Sequence, residues 1–151
     1  MYKNILVAID GSDAANRALS DAIQLARVLH GRIRLIHVLN KVPILPVGTP
    51  AEIMEQLVDQ MRGTAESLLH EAVRQTRASG VEVDTRLIEA IGDRAGEYIV
   101  DEARDWPAEL IVCGTHGRRG IRRLLMGNDA QYVVQHSTTP VLIVRGAAAS
   151  S

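Results

Sequence analysis

Short apolar runs alternate with stretches in which apolar residues recur at helical spacing, from one end of the chain to the other. The apolar runs predict five strands, over residues 3–9, 32–39, 81–90, 109–113 and 140–145. Between them the pattern predicts helices from Ser12 to Gly31, from Thr49 to near Gly80, from Asp93 to about Ala103, and over residues 128–136. Strand and helix therefore alternate throughout.

The strands are continuously apolar and rich in β-branched residues, which is typical of a parallel sheet covered by helices on both faces. No linker, composition break or repeat divides the chain. We therefore expect one α/β domain over residues 1–146, followed by a frayed tail over residues 147–151. In such sheets ligands bind beyond the carboxyl ends of the strands, where the strand order reverses. The turn at Asp10 and the turn at Gly114 both follow strands and could face one crevice.

Several helix starts carry capping residues. Thr49 is expected to cap the second helix, with Pro50 in its first turn and Glu52 closing a capping box. Asn128 is expected to cap the last helix, with Gln131 at its capping-box position. The predicted buried stripe of the second helix consists of Ile53, Leu57, Met61, Ala65, Leu68 and Ala72.

Composition narrows the classes of function. The net charge of −1 and an aromatic content of 3% argue against a nucleic-acid binder, which would be basic or would stack bases on aromatic rings. No apolar run approaches the roughly 20 residues of a membrane span, and no signal-peptide pattern opens the chain. The single cysteine, Cys113, fits a reducing compartment, so the cytoplasm is expected. We read Cys113 as a small buried hydrophobic residue and His37 as a packed histidine.

The segment over residues 114–128 carries the candidate chemistry. Gly114, Gly117 and Gly127 would let backbone N–H groups approach an anion, and the helix start at Asn128 favours phosphate. Arg118 and the arginines after it could add charge-assisted hydrogen bonds. The alternative is a tight turn that is kept for packing, with solvated arginines. We favour the phosphate interpretation.

The spacing Gly114-x2-Gly117-x9-Gly127 resembles the nucleotide-binding motif of the universal stress protein family. The resemblance covers residues 1–145, including the opening ILVAIDGS and the closing TPVLIV. It implies a Rossmann-like three-layer α/β/α fold of the adenine nucleotide alpha hydrolase-like type, with a five-stranded parallel sheet of order 3-2-1-4-5. It also implies ATP binding, with ADP or AMP as alternatives. Finally, it implies a homodimer that forms through the last strand, from Val141 to Arg145.

The resemblance also implies roles for individual residues. Asp10 would lie near the ribose and phosphates, in indirect contact with a Mg or Mn ion; from the residues alone, a turn or cap role is equally open. Ala8 and Val38 would line the adenine. The candidate binding residues are Ala8, Asp10, Val38, Cys113, Gly114, Gly117, Arg118, Gly127, Asn128 and Asp129.

One departure stands inside the motif, because Asn128 occupies the position where the family prefers Ser or Thr. We expect nucleotide binding to persist with altered strength. The predicted function is a regulatory ATP-binding stress protein without catalytic residues. A slow ATP hydrolase is one alternative, although the P-loop string G-x4-G-K-[ST] is absent. The other alternative is a dimeric interaction module that binds no nucleotide.

Overall fold

The computed structural model describes residues 1–42, 45–92, 94–115 and 127–146, and strands and helices alternate through them. The elements are β1 (Asn4–Ala8), α1 (Asp13–Leu29), β2 (Arg32–Asn40), α2 (Ala51–Ala78), β3 (Glu82–Ala90), α3 (Ala95–Asp105), β4 (Leu110–Gly114), α4 (Asn128–His136) and β5 (Val141–Val144). The predicted tail at residues 147–151 lies outside the described residues.

The five strands form one parallel sheet of order β3-β2-β1-β4-β5, which confirms the expected fold. Val7 at the centre of β1 pairs with Leu35 of β2 on one side and with Val112 of β4 on the other. The chain leaves β1 towards β2 and returns across the sheet to β4, so the strand order reverses between β1 and β4. A crevice therefore opens beyond the carboxyl ends of these two strands.

Each face of the sheet is covered by its own apolar cluster. On one face, Val7, Leu35 and Val112 pack with residues of α1 and α2. On the other face, Leu6, Ile36 and Ile111 pack with residues of α3 and α4. Burial on both faces explains why the strands read as continuous apolar runs. In the described part of the chain, no helix is both long and apolar enough to cross a membrane.

Two helix starts behave differently from each other. Ser12 caps α1 as expected, because its Oγ accepts a hydrogen bond from the backbone N–H of Ala15 at 3.2 Å. The expected cap at Thr49 is wrong, because the Thr49 hydroxyl donates instead to the carbonyl of Pro46 at 2.6 Å. Pro50 takes the N-cap position with an extended backbone (ψ 146°) and no side-chain cap, so α2 begins at Ala51. The predicted capping box with Glu52 is therefore absent.

The predicted buried stripe of α2 holds only in its second half. Ala65 and Ala72 are buried, Leu68 is partly buried beside the well-packed Leu69, and Ile53 is 51% exposed. A helix of 28 residues is about 42 Å long, whereas a strand of nine residues spans about 30 Å. The first turns of α2 therefore extend beyond the sheet that would bury them.

The start of α3 also differs from its prediction. Asp93, the expected cap, lies outside the described residues. The N-cap position is Arg94, whose side chain makes no capping hydrogen bond. The first turn is capped from another helix, because the backbone N–H of Gly96 donates to Asp129 Oδ1 at 3.0 Å.

Candidate functional site

A pocket of about 710 Å³ opens at the carboxyl ends of β1, β2 and β4, where the strand order reverses. Its volume lies within the roughly 300–1,000 Å³ that is usual for ligand pockets. The first turns of α3 and α4 form one wall, and Met61 of α2 contributes to another. The fold therefore supplies a concave site at the position where parallel α/β sheets bind ligands.

The structure brings most of the candidate residues together around this pocket. The candidates that line it are Ala8, Asp10, Val38, Cys113, Gly114, Gly127, Asn128 and Asp129. The other two candidates, Gly117 and Arg118, lie outside the described residues. The ligand-binding role of all ten remains a prediction.

Asp10 has the turn role that the sequence left open, and its ligand role remains a prediction. Its Oδ1 accepts a hydrogen bond from the backbone N–H of Ser12 at 2.9 Å, which is a local turn interaction. The same residue lines the pocket, shortly beyond β1. The turn fixes the carboxylate at the mouth of the crevice, next to the cap of α1.

Gly114 has a packing reason to be glycine. A Cβ atom there would stand 2.7 Å from the Cβ of Ala14 and 2.8 Å from the backbone nitrogen of Ala15. No other residue fits at the end of β4 without moving the start of α1. The packing alternative therefore accounts for this glycine by itself, although its backbone still lines the pocket.

The start of α4 corrects the expectation for Asn128. The N-cap is Gly127, with φ −62° and ψ 159°, and the helix begins at Asn128. The Gly127 carbonyl accepts the first helical hydrogen bond, from Gln131 at 2.9 Å, and the N-cap glycine has no side chain with which to cap the helix. Because the chain enters the helix one residue earlier than predicted, Asn128 does not cap, and the predicted capping box with Gln131 is absent. The first turn of α4 lines the pocket.

Asp129 and Cys113 are neighbours on the same wall. Oδ1 of Asp129 accepts from Gly96 of α3, so one of its carboxylate oxygens is held by the protein. Burial raises the pKa of the Cys113 thiol to about 12, and the nearby charge of Asp129 acts in the same direction. Cys113 is 5% exposed, as expected of a small buried residue, and it is a neutral thiol at physiological pH.

His37 is buried, with 7% of its surface exposed, as the sequence indicated. Its Nδ1 lies 2.7 Å from the carbonyl oxygen of Ile9, the residue that precedes Asp10. His37 also lines the pocket. His37 therefore links β2 to the end of β1 directly beside the candidate site.

Sequence reasoning missed Asn40 as a member of this site. Its Oδ1 accepts hydrogen bonds from the backbone N–H groups of Val42 at 3.0 Å and Gly92 at 3.1 Å. These bonds tie together the chain segments that leave β2 and β3, and all three residues line the pocket. A polar residue at the end of an apolar strand was the available signal.

No group of three or more His, Cys, Asp or Glu side chains converges as metal ligands would within the described residues. A Mg or Mn ion near Asp10 therefore remains a prediction that depends on ligand phosphates for further coordination.

A parallel sheet of this order, with a pocket where the order reverses, defines a Rossmann-like α/β protein. The family model described as the universal stress protein family matches residues 1–145. The chain belongs to the universal stress protein family.

Individual relatives agree with this assignment. The chain is 31% identical over 146 residues to universal stress protein MJ0531 of Methanocaldococcus jannaschii, covering 96% of this chain and 83% of that protein. The structure of universal stress protein UspA from Lactobacillus plantarum superposes with a TM-score of 0.82 at 25% identity, covering 95% of this chain and 98% of that one. The universal stress protein from Archaeoglobus fulgidus in complex with dAMP superposes with a TM-score of 0.65 at 28% identity, covering 95% and 98%.

Proposed function

We propose that this chain binds an adenine nucleotide in the pocket at the β1–β4 reversal and acts as a regulatory protein of the stress response. The observation that carries the proposal is the start of α4, which has a glycine at its N-cap and lines the pocket along with Asp10. The dAMP complex of the Archaeoglobus fulgidus relative supports an adenine nucleotide as the ligand class.

The start of α4 is the phosphate end of the proposed site. Backbone N–H groups in the first turn of a helix have no intrahelical acceptor, and the helix dipole adds positive potential there. Asn128 presents such a terminus to the pocket, whereas the N–H of Gly127 is already donated to the carbonyl of Thr115 at 2.5 Å. The amide side chain of Asn128 is not used as a cap, so it can donate to a phosphate oxygen where a Ser or Thr hydroxyl would otherwise do so.

The adenine end of the proposed site lies against β1 and β2. Ala8 and Val38 line the pocket and pack on the same apolar cluster as Ile36 and Ile99. Flat apolar surface of this kind suits a heterocyclic base, while a few polar groups fix its orientation. We assign Ala8 and Val38 to the base, as the family resemblance implies.

The carboxylate of Asp10 sets a condition on how many phosphates the site accepts. A carboxylate repels phosphate oxygens unless a cation lies between them. We therefore expect Mg²⁺ or Mn²⁺ to strengthen ATP binding, and to matter much less for AMP. Arg118 is proposed to add positive charge from the loop. Any hydrolysis of ATP is expected to be slow, because the chain lacks the P-loop string with its phosphate-binding lysine.

Mass spectrometry of small molecules released from the purified, denatured protein tests the proposal, combined with thermal unfolding in the presence of added nucleotide. We expect a released adenine nucleotide, or a rise in unfolding temperature with AMP and with ATP plus Mg²⁺. The matched control is GMP at the same concentration. Absence of any released nucleotide together with no thermal shift would overturn the proposal.

We also propose a homodimer that forms through β5, the edge strand next to β4. The carbonyls of Pro140 and Val144 accept hydrogen bonds from the β4 side, which places the N–H and C=O groups of Ile143 on the open edge. Leu142 of β5 and Val134 of α4 are apolar side chains exposed by 36% and 44%. An apolar edge strand is a liability that a second copy would cover.

A further inference from the structure

A smaller chamber of about 210 Å³ adjoins the main pocket on the α2 side of the sheet. It is lined by His37, Leu39, Gln60, Met61, Thr64 and Ala65. His37, Leu39 and Met61 also line the main pocket. Its volume is below the roughly 300 Å³ at which ligand pockets usually begin. The chamber is therefore suited to one part of a ligand whose remainder lies in the main pocket.

A hydrogen bond to the backbone determines which ring nitrogen of His37 carries the hydrogen. Nδ1 lies 2.7 Å from the carbonyl oxygen of Ile9, and a carbonyl can only accept. Nδ1 therefore carries a hydrogen, and in the neutral ring Nε2 is a bare acceptor. No hydrogen bond joins Nε2 to any of the described residues, although His37 is only 7% exposed.

The neighbours of His37 do not supply the missing donor. The hydroxyl of Thr64 donates to the backbone carbonyl of Gln60 at 3.1 Å, so its hydrogen is already used. Leu39 and Ala65 are apolar, and the thioether of Met61 is only a weak acceptor. The side-chain amide of Gln60 could donate, but among the described residues no hydrogen bond joins it to Nε2 of His37. A buried acceptor without a partner is unfavourable, so the chamber is complementary to a ligand group that donates a hydrogen bond.

The two ends of the site differ in polarity. The lone pair of His37 repels an anion, whereas the first turn of α4 attracts one. Phosphate therefore belongs at α4, and the base belongs towards His37. Among purines, adenine carries an exocyclic 6-amino group that donates, while hypoxanthine and guanine carry an oxygen there that only accepts.

We propose that Nε2 of His37 accepts a hydrogen bond from the 6-amino group of the bound purine and so selects adenine. The inference rests on the proposed nucleotide function and adds the residue that discriminates between bases. His37 is then a specificity-determining residue, and the Ile9 carbonyl fixes its tautomer.

Calorimetric titration with three 5′-monophosphates tests this assignment. The ligands are AMP, purine riboside monophosphate, which lacks only the amino group, and IMP, which carries an oxygen in its place. We expect the wild-type protein to bind AMP about tenfold more tightly than purine riboside monophosphate, as the loss of one hydrogen bond predicts, and to bind IMP more weakly still.

Two variants of His37 separate recognition from folding. In His37→Asn the side-chain amide N–H can still donate to Ile9, but the side chain is too short to reach the position of Nε2. The preference for AMP over purine riboside monophosphate should therefore disappear. His37→Gln places an acceptor oxygen further out and should restore part of the preference. His70→Asn is the matched control, because it makes the same substitution at an exposed histidine of α2 that lines neither pocket, and it should leave the preference unchanged. Thermal unfolding of each variant confirms that it is folded.

Different results bear on the assignment of His37 and on the nucleotide function. Tight AMP binding with an unchanged preference in both His37 variants would overturn the assignment of His37 and leave the proposed function intact. No binding of any of the three nucleotides to the wild-type protein would overturn both. A crystal structure of the AMP complex in which Nε2 bonds only to water would also overturn the assignment.

Discussion

The carboxylate of Asp129, in the first turn of α4, caps the first turn of α3 by accepting a hydrogen bond from the backbone N–H of Gly96 at 3.0 Å. The two helices approach closely here, since a Cβ on Gly96 would stand 2.9 Å from the Cβ of Tyr132. Asp129 therefore has a structural task within the candidate site. The wall of the pocket that carries the start of α4 is held against α3 by this contact.

Replacing Asp129 tests its capping role at the start of α3. Asp129→Ala removes the acceptor for Gly96 and should lower the free energy of unfolding by about 1 kcal/mol, the usual worth of a cap. Asp129→Asn keeps an acceptor oxygen and should lose less. Urea unfolding of both variants measures the difference. Equal stability of Asp129→Ala and the wild-type protein would contradict the capping role.

Gly114 and Gly63 form a matched pair of glycines. Gly114→Ala places a Cβ 2.7 Å from Ala14 and should destabilise the fold by about 1–3 kcal/mol, as overpacking usually does. Gly63 lies inside α2, and a Cβ added there would meet nothing within 4 Å, so Gly63→Ala should stabilise by about 0.5–1 kcal/mol. Denaturant unfolding of the two variants tests the opposite signs. A neutral Gly114→Ala would show that the motif glycine is not required for packing.

Cys113 makes stability depend on alkaline pH. Burial raises its pKa from 9.0 to about 12 in the folded protein, while the unfolded thiol keeps its ordinary value. A raised folded pKa gives stability that is fully present below about pH 9 and is lost as the pH rises towards 12. We expect Cys113→Ala to unfold with a shallower pH dependence in that window. Identical slopes for the variant and the wild-type protein between about pH 9 and 11 would contradict this.

Ile143 tests the proposed dimer. Its backbone N–H points to the open edge of β5, so Ile143→Pro removes an edge donor and leaves the pairing with β4 intact. Light scattering at micromolar concentration should show a dimer for the wild-type protein and for the control Ile143→Val, and a monomer for Ile143→Pro. A wild-type monomer, or a dimer that Ile143→Pro leaves unchanged, would refute the β5 interface.

The order of strands and helices could be predicted from the sequence because burial on both faces leaves a strong apolar pattern, as in Leu6 and Val7 of β1. Helix starts were less predictable. Thr49 and Asn128 have side chains that favour the N-cap position, but the observed N-caps are Pro50 and Gly127. In each case the backbone enters the helix at a different residue from the one that the side chain indicates. Local propensity alone does not determine at which residue the backbone enters a helix.

The candidate site was predictable where residues follow strand ends and less so where they lie on helices. Asp10 follows β1 and Gly114 ends β4, and parallel topology brings such residues to one edge. Met61 is eleven residues into α2, so its place at the pocket depends on how the helix packs. The contact of Asp129 with Gly96 joins residues 33 positions apart and has no signature in either segment.

The proposed function depends on phosphate binding at the start of α4. Calorimetric titration tests this by adding AMP to the wild-type protein, to Asn128→Pro and to Asn128→Ala. Asn128 is the first residue of α4, where proline is well tolerated, and the extended Gly127 before it suits a proline that follows. Both variants lose the side chain, but only proline also removes the backbone N–H. We predict that Asn128→Pro binds AMP about tenfold more weakly than Asn128→Ala, with unchanged folding. Equal AMP affinity of the two variants would contradict a phosphate bound at the start of α4.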